Sequence, residues 1–286
     1  MKKVLVTGAT GNVGKYVVDE LLKKGERVIA AGPSFKNPAD TFSNKVETVY
    51  FDFKKPETFQ GVLNDVDRVF LMRPPHLGKP EDLYPFIDEM KLSKIKLVSF
   101  LSLMGVEKNT IPPHHKIEKY IEDSELPYAH VRPGFFMQNV SGVQSKEIRE
   151  KSQVFVPAGN SKTSFIDAAD IGLAVATLLH DPESYQNTAH TITGSEALDY
   201  YQVAQILSEE TGKNIKYAKP SYWKYRRYYI KKRRLDKKYV NVTVALYFMT
   251  RMGTAKEVTN DFIRLTGRKP RTFKEFVKEN RSSFTS

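Results

Sequence analysis

A strand-like run that empties into three evenly spaced glycines sets the limits on how this chain folds. Val4-Leu5-Val6-Thr7 is apolar and β-branched without alternation, the pattern of a strand buried on both faces of a parallel sheet. Gly8, Gly11 and Gly14 follow, and Val17, Val18, Leu21 and Leu22 then recur at helical spacing until Gly25 closes the helix. Glycines at such a junction serve a tight turn, a close approach of backbone to a pyrophosphate, and close packing of helix on strand. The helix start offers unpaired N–H groups and the positive end of the helix dipole to an anion. Gly8, Thr10, Gly11, Asn12, Val13 and Gly14 are therefore the expected phosphate cradle. Their spacing is not G-x-G-x-x-G, so the reading rests on the strand before them and the helix after.

The 286 residues suffice for one large α/β domain or for a core with a smaller lobe. With no cysteine, a disulfide framework, a thiolate metal site and cysteine catalysis are excluded, and a cytoplasmic protein without a metal centre is expected. Met1-Lys2-Lys3 leads straight into the first strand, and no apolar run approaches the roughly 20 residues of a membrane span, so no membrane partner is expected. A net charge of +12 suits phosphate cofactors, nucleic acid or a basic surface, and does not choose among them.

Further apolar runs read as strands: Arg27 to Ala31, Val46 to Phe51, Asp67 to Met72, Ile95 to Leu101 and Leu126 to Arg132. An acid after the second strand would bond a free ribose hydroxyl and mark NAD. Here Gly32-Pro33-Ser34-Phe35-Lys36 carries none before Asp40, and Ser34 with Lys36 suits a 2′-phosphate, so NADPH is expected in preference to NADH.

The run TGATGNVG, Thr7 to Gly14, is similar to that of the short-chain dehydrogenase/reductase superfamily in its extended and atypical branches. Arg132-Pro133-Gly134-Phe135-Phe136 is similar to a motif of the NmrA-like group. That group includes NADPH-dependent quinone and azo reductases, and members that only sense the cofactor. The resemblance implies a doubly wound parallel sheet (Rossmann) with helices on both faces. Residues 1–142 would form the NAD(P)-binding core, and 143–286 mainly a substrate lobe, with about 160–195 returning to the core sheet. It also implies an adenine-edge role for Asp52 and Phe53, with a helix N-cap the alternative for Asp52; a cofactor-lining loop at Arg73, where the family has small polar residues and this arginine reaches phosphate, substrate carboxylate or solvent; a catalytic-strand terminus at Ser102; and a nicotinamide and substrate border at Pro133, Phe135, Phe136 and Asn139.

Alcohol-oxidising members of the superfamily use Tyr-x-x-x-Lys, in which the lysine lowers the phenol pKa and holds the nicotinamide ribose. In this chain Lys116 fills the lysine position while Pro112 stands where the tyrosine should be. Tyr120 lies one turn on in the wrong direction. His114 and His115 titrate near neutrality and are the remaining candidates for proton transfer, against the plainer reading of solvated surface groups. Asp170 reads as the cap of a helix Ile171 to Leu179, Thr191 to Gly194 as a last strand, and Tyr200 to Thr211 as a helix opened by Asp199. Lys213 to Lys238 interleaves Lys and Arg with Tyr222, Trp223, Tyr225 and Tyr229. A helix whose aromatic face covers the cleft, with Trp223 toward substrate, is favoured over a nucleic-acid site.

The expected activity is NADPH-dependent hydride transfer to an electron-poor conjugated small molecule, of quinone or azo type, which needs no phenol acid. A non-catalytic NADP(H) sensor with a protein partner is the rival, and a nucleotide-sugar epimerase ranks last. A homodimer is compatible with either.

Overall fold

The computed structural model describes residues 2–33, 42 and 46–285. Seven strands form one parallel sheet: β1 (Lys3–Thr7), β2 (Val28–Gly32), β3 (Glu47–Tyr50), β4 (Val66–Met72), β5 (Leu97–Leu101), β6 (Tyr128–Pro133) and β10 (Thr188–Ile192). Their order is β10-β6-β5-β4-β1-β2-β3. Val4, Leu5, Val6 and Thr7 are wholly buried, as an unalternating run requires of a central strand, whereas edge strand β3 is exposed at both ends. From β1 the chain winds one way to β2 and β3 and the other way to β4, β5 and β6. This reversal places the ligand crevice of a doubly wound sheet beyond the carboxyl ends of β1 and β4.

Helices cover both faces. The helix α1 (Gly14–Lys23) packs with the helix Ala168–His180 on one side. The helices Phe59–Leu63, Tyr84–Leu92 and Pro113–Asp123 bury Phe59, Phe86, Ile87, Ile117 and Ile121 against the other. The chain divides into two units, the first comprising Met1–Pro133, Ala168–Ile192 and Asp261–Arg268, the second Gly134–Asp167, Thr193–Asn260 and Lys269–Ser286. Below the sheet of the first unit, Arg68 leaves the apolar run of β4 to bind Glu26 through two guanidinium nitrogens (3.0 and 2.9 Å) and Asp67 through Nε (2.9 Å).

The second unit has a small sheet of β11 (Ala197–Asp199), β9 (Lys162–Ile166) and β7 (Phe135–Phe136), and a pair of β12 (Lys216–Tyr217) with β8 (Gln153–Val154). Its core joins Phe165, Tyr200, Phe273 and Phe276 with Tyr225, Tyr229 and Tyr247. Within it, buried Glu147 accepts from the hydroxyls of Tyr228 and Tyr229 (3.0 Å each) and from Arg233 Nη1 (2.6 and 2.7 Å).

Three details differ from the sequence reading. The last strand of the large sheet is Thr188–Ile192, displaced from Thr191 to Gly194, because the backbone of this polar run pairs with β6. The helix expected at Ile171 begins at Ala168, so Asp170 lies inside its first turn instead of preceding it. The aromatic stretch is the helix Tyr222–Arg227 followed by a π-helical turn Tyr228–Lys232, and it buries Tyr225 and Tyr229 in the core of its own unit, where apolar partners surround them. Asp199 does cap the helix Tyr200–Thr211, its carboxylate accepting from the Tyr201 and Gln202 N–H groups at 2.9 Å. Among the described residues no helix is long and apolar enough to cross a membrane.

Candidate cofactor and active site

The glycine turn is closed by Gly11 N–H donating to the Gly8 carbonyl at 2.9 Å. Gly8 adopts a left-handed φ of +61°, which an L side chain rarely takes. A Cβ on Gly14 would stand 2.2 Å from the Gly8 oxygen, so only hydrogen fits where α1 meets the strand. No side chain caps α1. Within the first turn the Lys15 N–H donates to the Gly11 carbonyl (3.3 Å) and the Tyr16 N–H to the Val13 carbonyl (3.0 Å), whereas among the described residues the N–H groups of Asn12, Val13 and Gly14 donate to no backbone carbonyl and stay available to a ligand anion.

Thr7 fixes the far wall of this turn. Its buried hydroxyl donates to the Phe70 carbonyl at 2.9 Å and accepts from the Met72 N–H at 3.1 Å, which ties the carboxyl ends of β1 and β4 together. Met72 then stands where a Cβ on Gly8 would clash, at 2.8 Å. Neither Thr7 nor Met72 was singled out in the sequence; a hydroxyl ending an apolar strand just before the turn is the only signal there was.

The loops after β4 and β5 and the start of the helix Pro113–Asp123 bring three buried polar atoms without hydrogen-bond partners: Arg73 Nε, Ser102 Oγ and His114 Nδ1. Arg73 donates through Nη1 to the Leu77 carbonyl, so its guanidinium folds onto its own loop, and burial lowers its pKa. Burial, and then the neighbouring Arg73 charge, push the His114 imidazole down to about 3, so that it is neutral at physiological pH. His115, half-buried, has Nδ1 3.1 Å from the Val106 carbonyl. A carbonyl can only accept, so that nitrogen carries the proton and Nε2 is the free acceptor. Lys116 is exposed on the same helix. Pro112 lies outside that helix in extended conformation (φ −61°, ψ 140°), so the position expected for a phenol is not helical at all. Tyr120 turns aside, stacking on Tyr84 at 3.7 Å and donating to Asp88 at 2.9 Å.

The remaining candidates divide between the two units. Asp52 Oδ1 accepts the Lys54 N–H at 3.0 Å and shapes a turn, and Phe53 is buried, edge-on to Phe51 at 4.7 Å. Pro133 is the buried last residue of β6. Phe135 and Phe136 form β7 of the second unit and are half-buried, Asn139 is exposed, and Trp223 is 67% exposed with the Arg227 guanidinium over its ring at 5.2 Å. Ser34 and Lys36 lie outside the described residues. Glu118, Glu122 and His130 offer ligand atoms within 4.8 Å of one another. The carboxylates are already engaged by cations, Glu118 by Arg132 at 2.6 Å and Glu122 by Lys119 at 2.7 Å. That leaves little charge for a metal.

Among known proteins, the model of the NmrA-like family matches residues 1–277. The chain is similar to the uncharacterized oxidoreductase YesF of Bacillus subtilis (strain 168), with 30% identity over 99% of this chain and 96% of the other. It is similar to the NAD(P)H azoreductase of Xenophilus azovorans, with 26% identity over 98% and 99%. Its fold matches that of the Citrobacter sp. triphenylmethane reductase complexed with NADP(H), with a TM-score of 0.86, 21% identity, and coverage of 97% and 99%.

Proposed function

This chain belongs to the NmrA-like family, and on that premise we propose that it is an NADPH-dependent reductase acting on an electron-poor conjugated acceptor of quinone or azo type. The observation that carries this reading is Pro112, extended and outside the helix of Lys116, where an alcohol dehydrogenase of the superfamily needs a phenol. Acceptors that need no phenol acid are the chemistry left open. The names of the relatives agree, one being an azoreductase and another a triphenylmethane reductase complexed with NADP(H).

The cradle fits a dinucleotide: Gly14 leaves room that a Cβ would fill, and the turn entering α1 offers the N–H groups of Asn12, Val13 and Gly14 to a pyrophosphate. When bound, the nicotinamide supplies the hydride. Gly8, Thr10, Gly11, Asn12, Val13 and Gly14 hold phosphate in this reading, Lys116 and the unpartnered Ser102 hydroxyl hold the nicotinamide ribose, and Asp52 holds the adenine edge. Arg73, Pro133 and Phe135 line the cofactor, and Phe136 and Asn139 meet the acceptor, whereas Trp223, 67% exposed under Arg227, is left out of the site. His114, held neutral, keeps a second cation away from Arg73. His115 supplies the proton, because its Nε2 is free to take one from water and give it up while Nδ1–H stays on Val106.

The test is NADPH oxidation with a panel of quinones and azo dyes, beside NADP+ reduction with secondary alcohols. Consumption with the first and none with the second is expected. Alcohol oxidation would overturn the reading, and binding of NADPH without consumption by any acceptor would give the chain to the sensor class.

A further inference from the structure

The positive charge of this protein is concentrated in one place. Residues 213–256 carry 14 Lys or Arg and a single acid, Asp236, against +12 for the whole chain, so the rest is close to neutral. Asp236 itself is the cap of the helix Lys237–Arg251, its Oδ1 accepting the Tyr239 N–H at 2.8 Å. Arg233 is committed internally to Glu147. Lys224, Lys231, Lys232, Arg234, Lys237 and Lys238 are exposed and, among the described residues, take part in no salt bridge.

The same segment exposes apolar side chains that its own core does not need. The helix Lys237–Arg251 turns Val240, Tyr247 and Thr250 inward. At 100° per residue, the opposite face carries Val242, Ala245, Leu246 and Met249, where an ordinary surface helix is polar. Val242 is 58% exposed, Leu246 44%, and Met252, just past the helix end, 68%. Alongside runs the helix Tyr222–Arg227, joined through Arg226 Nε to Asn241 Oδ1 at 2.8 Å and through the Tyr225 hydroxyl to Thr243 Oγ1 at 3.4 Å. With Tyr225 buried and Arg226 held by Asn241, Trp223 (67% exposed) and Arg227 face solvent on this neighbouring helix.

We propose that this face docks on an anionic lipid bilayer, with Trp223, Val242, Leu246 and Met252 entering the headgroup layer and the surrounding lysines on lipid phosphates. An amphipathic helix rich in Lys and Arg, with Trp and Leu on its apolar side, lies in the plane of such a surface and needs no span. Charge complementarity selects the occupant. A second copy would bring like charge against like charge. Single-stranded nucleic acid would use the cations and Trp223, but would leave Val242, Leu246 and Met252 without a role.

Trp223 is the only tryptophan in the chain and reports on its own surroundings. The full-length protein is titrated, without cofactor, with vesicles of phosphatidylcholine alone and of phosphatidylcholine mixed with phosphatidylglycerol, following Trp emission and co-flotation. Blue-shifted emission and flotation are expected with the mixed vesicles only, weakening as salt rises. Lys237→Gln with Lys238→Gln should weaken binding about fivefold for each lysine removed. Val242→Ser with Leu246→Ser leaves charge untouched and, both sites being exposed, leaves the fold intact as read by circular dichroism; it should abolish the blue shift. No response to the anionic vesicles overturns the proposal. So does unchanged binding by the double serine variant, which would mean adsorption by charge alone. Capture by a single-stranded oligonucleotide that quenches Trp223, with no response to vesicles, would assign the face to nucleic acid instead. None of these readouts depends on turnover.

Discussion

Replacing Gly14 by alanine puts a single carbon at the tightest point of the cofactor turn. That carbon would lie 2.2 Å from the Gly8 oxygen and 2.9 Å from Ala9 Cα. Carbon and carbonyl oxygen normally approach to about 3.3 Å, so roughly 1 Å must be found. Both obstacles are backbone of the turn itself, and no side-chain tip can swing away. Overpacking of this kind costs about 1–3 kcal/mol of stability. A turn forced open also misplaces its N–H groups, and each hydrogen bond to a charged partner is worth about 1.5–3 kcal/mol. Loss of one such bond weakens NADPH binding by about 10- to 150-fold.

Fluorescence titration of NADPH and thermal unfolding of the free protein measure the two effects separately. Gly25→Ala is the control, since Gly25 also has a positive φ of +77° but meets nothing within 4 Å; it should lose stability and keep its cofactor. Wild-type NADPH affinity in Gly14→Ala would refute the assignment of this turn to the pyrophosphate.

His114 predicts a pH dependence. Its folded pKa of about 3 lies below the ordinary imidazole value of 6.5, so the unfolded chain binds the extra proton between those values. The stability held above pH 6.5 is lost progressively as pH falls toward 3, with a slope approaching about 1.4 kcal/mol per pH unit. Urea midpoints of wild type and His114→Gln should therefore diverge below about pH 6.5, and parallel curves would disprove the burial argument. Lys116→Ala should weaken NADPH binding by about 1.5–3 kcal/mol, while turnover at saturating cofactor falls by less than the roughly 10²–10⁴ that loss of an acid catalyst costs. Unchanged affinity with collapsed turnover would make Lys116 a catalyst instead of a ribose ligand. Pro112→Tyr should not gain alcohol oxidation, because Pro113 holds residue 112 extended and out of the helix; a gain would show that the phenol reaches the site after all.

The parallel sheet was legible because its strands are buried on both faces and so read as unbroken apolar runs. The cradle was legible because glycine is needed wherever backbone crowds backbone. What escaped was polar structure decided by distant partners. Thr188–Ile192 pairs with β6 through backbone groups that any residue has, so its Thr-Ala-His-Thr gives no apolar pattern. Arg68 sits in an apolar strand because Glu26 and Asp67 reach it beneath the sheet. The tyrosines of the basic stretch had the period of a buried face, but the period does not say which core receives it. In the site, the pair of adjacent histidines looked alike, and only the enclosure of His114 beside Arg73, with the bond of His115 to Val106, tells them apart.

The division of the chain has a consequence for biosynthesis. Five crossings separate the six stretches from which the two units are built, the first unit drawing on Met1–Pro133, Ala168–Ile192 and Asp261–Arg268. On a ribosome β6 emerges long before β10, its neighbour at the edge of the sheet, and the Asp261 carboxylate that binds the Thr191 N–H of β10 (2.8 Å) comes later still. The nascent first unit therefore presents the unpaired edge of β6 while the 54 residues between Pro133 and Thr188 are made, the state in which sheets recruit wrong partners. Neither unit can be cut out as a continuous fragment. Expression is accordingly expected to depend on chaperone supply more than on the thermodynamic stability of the finished protein.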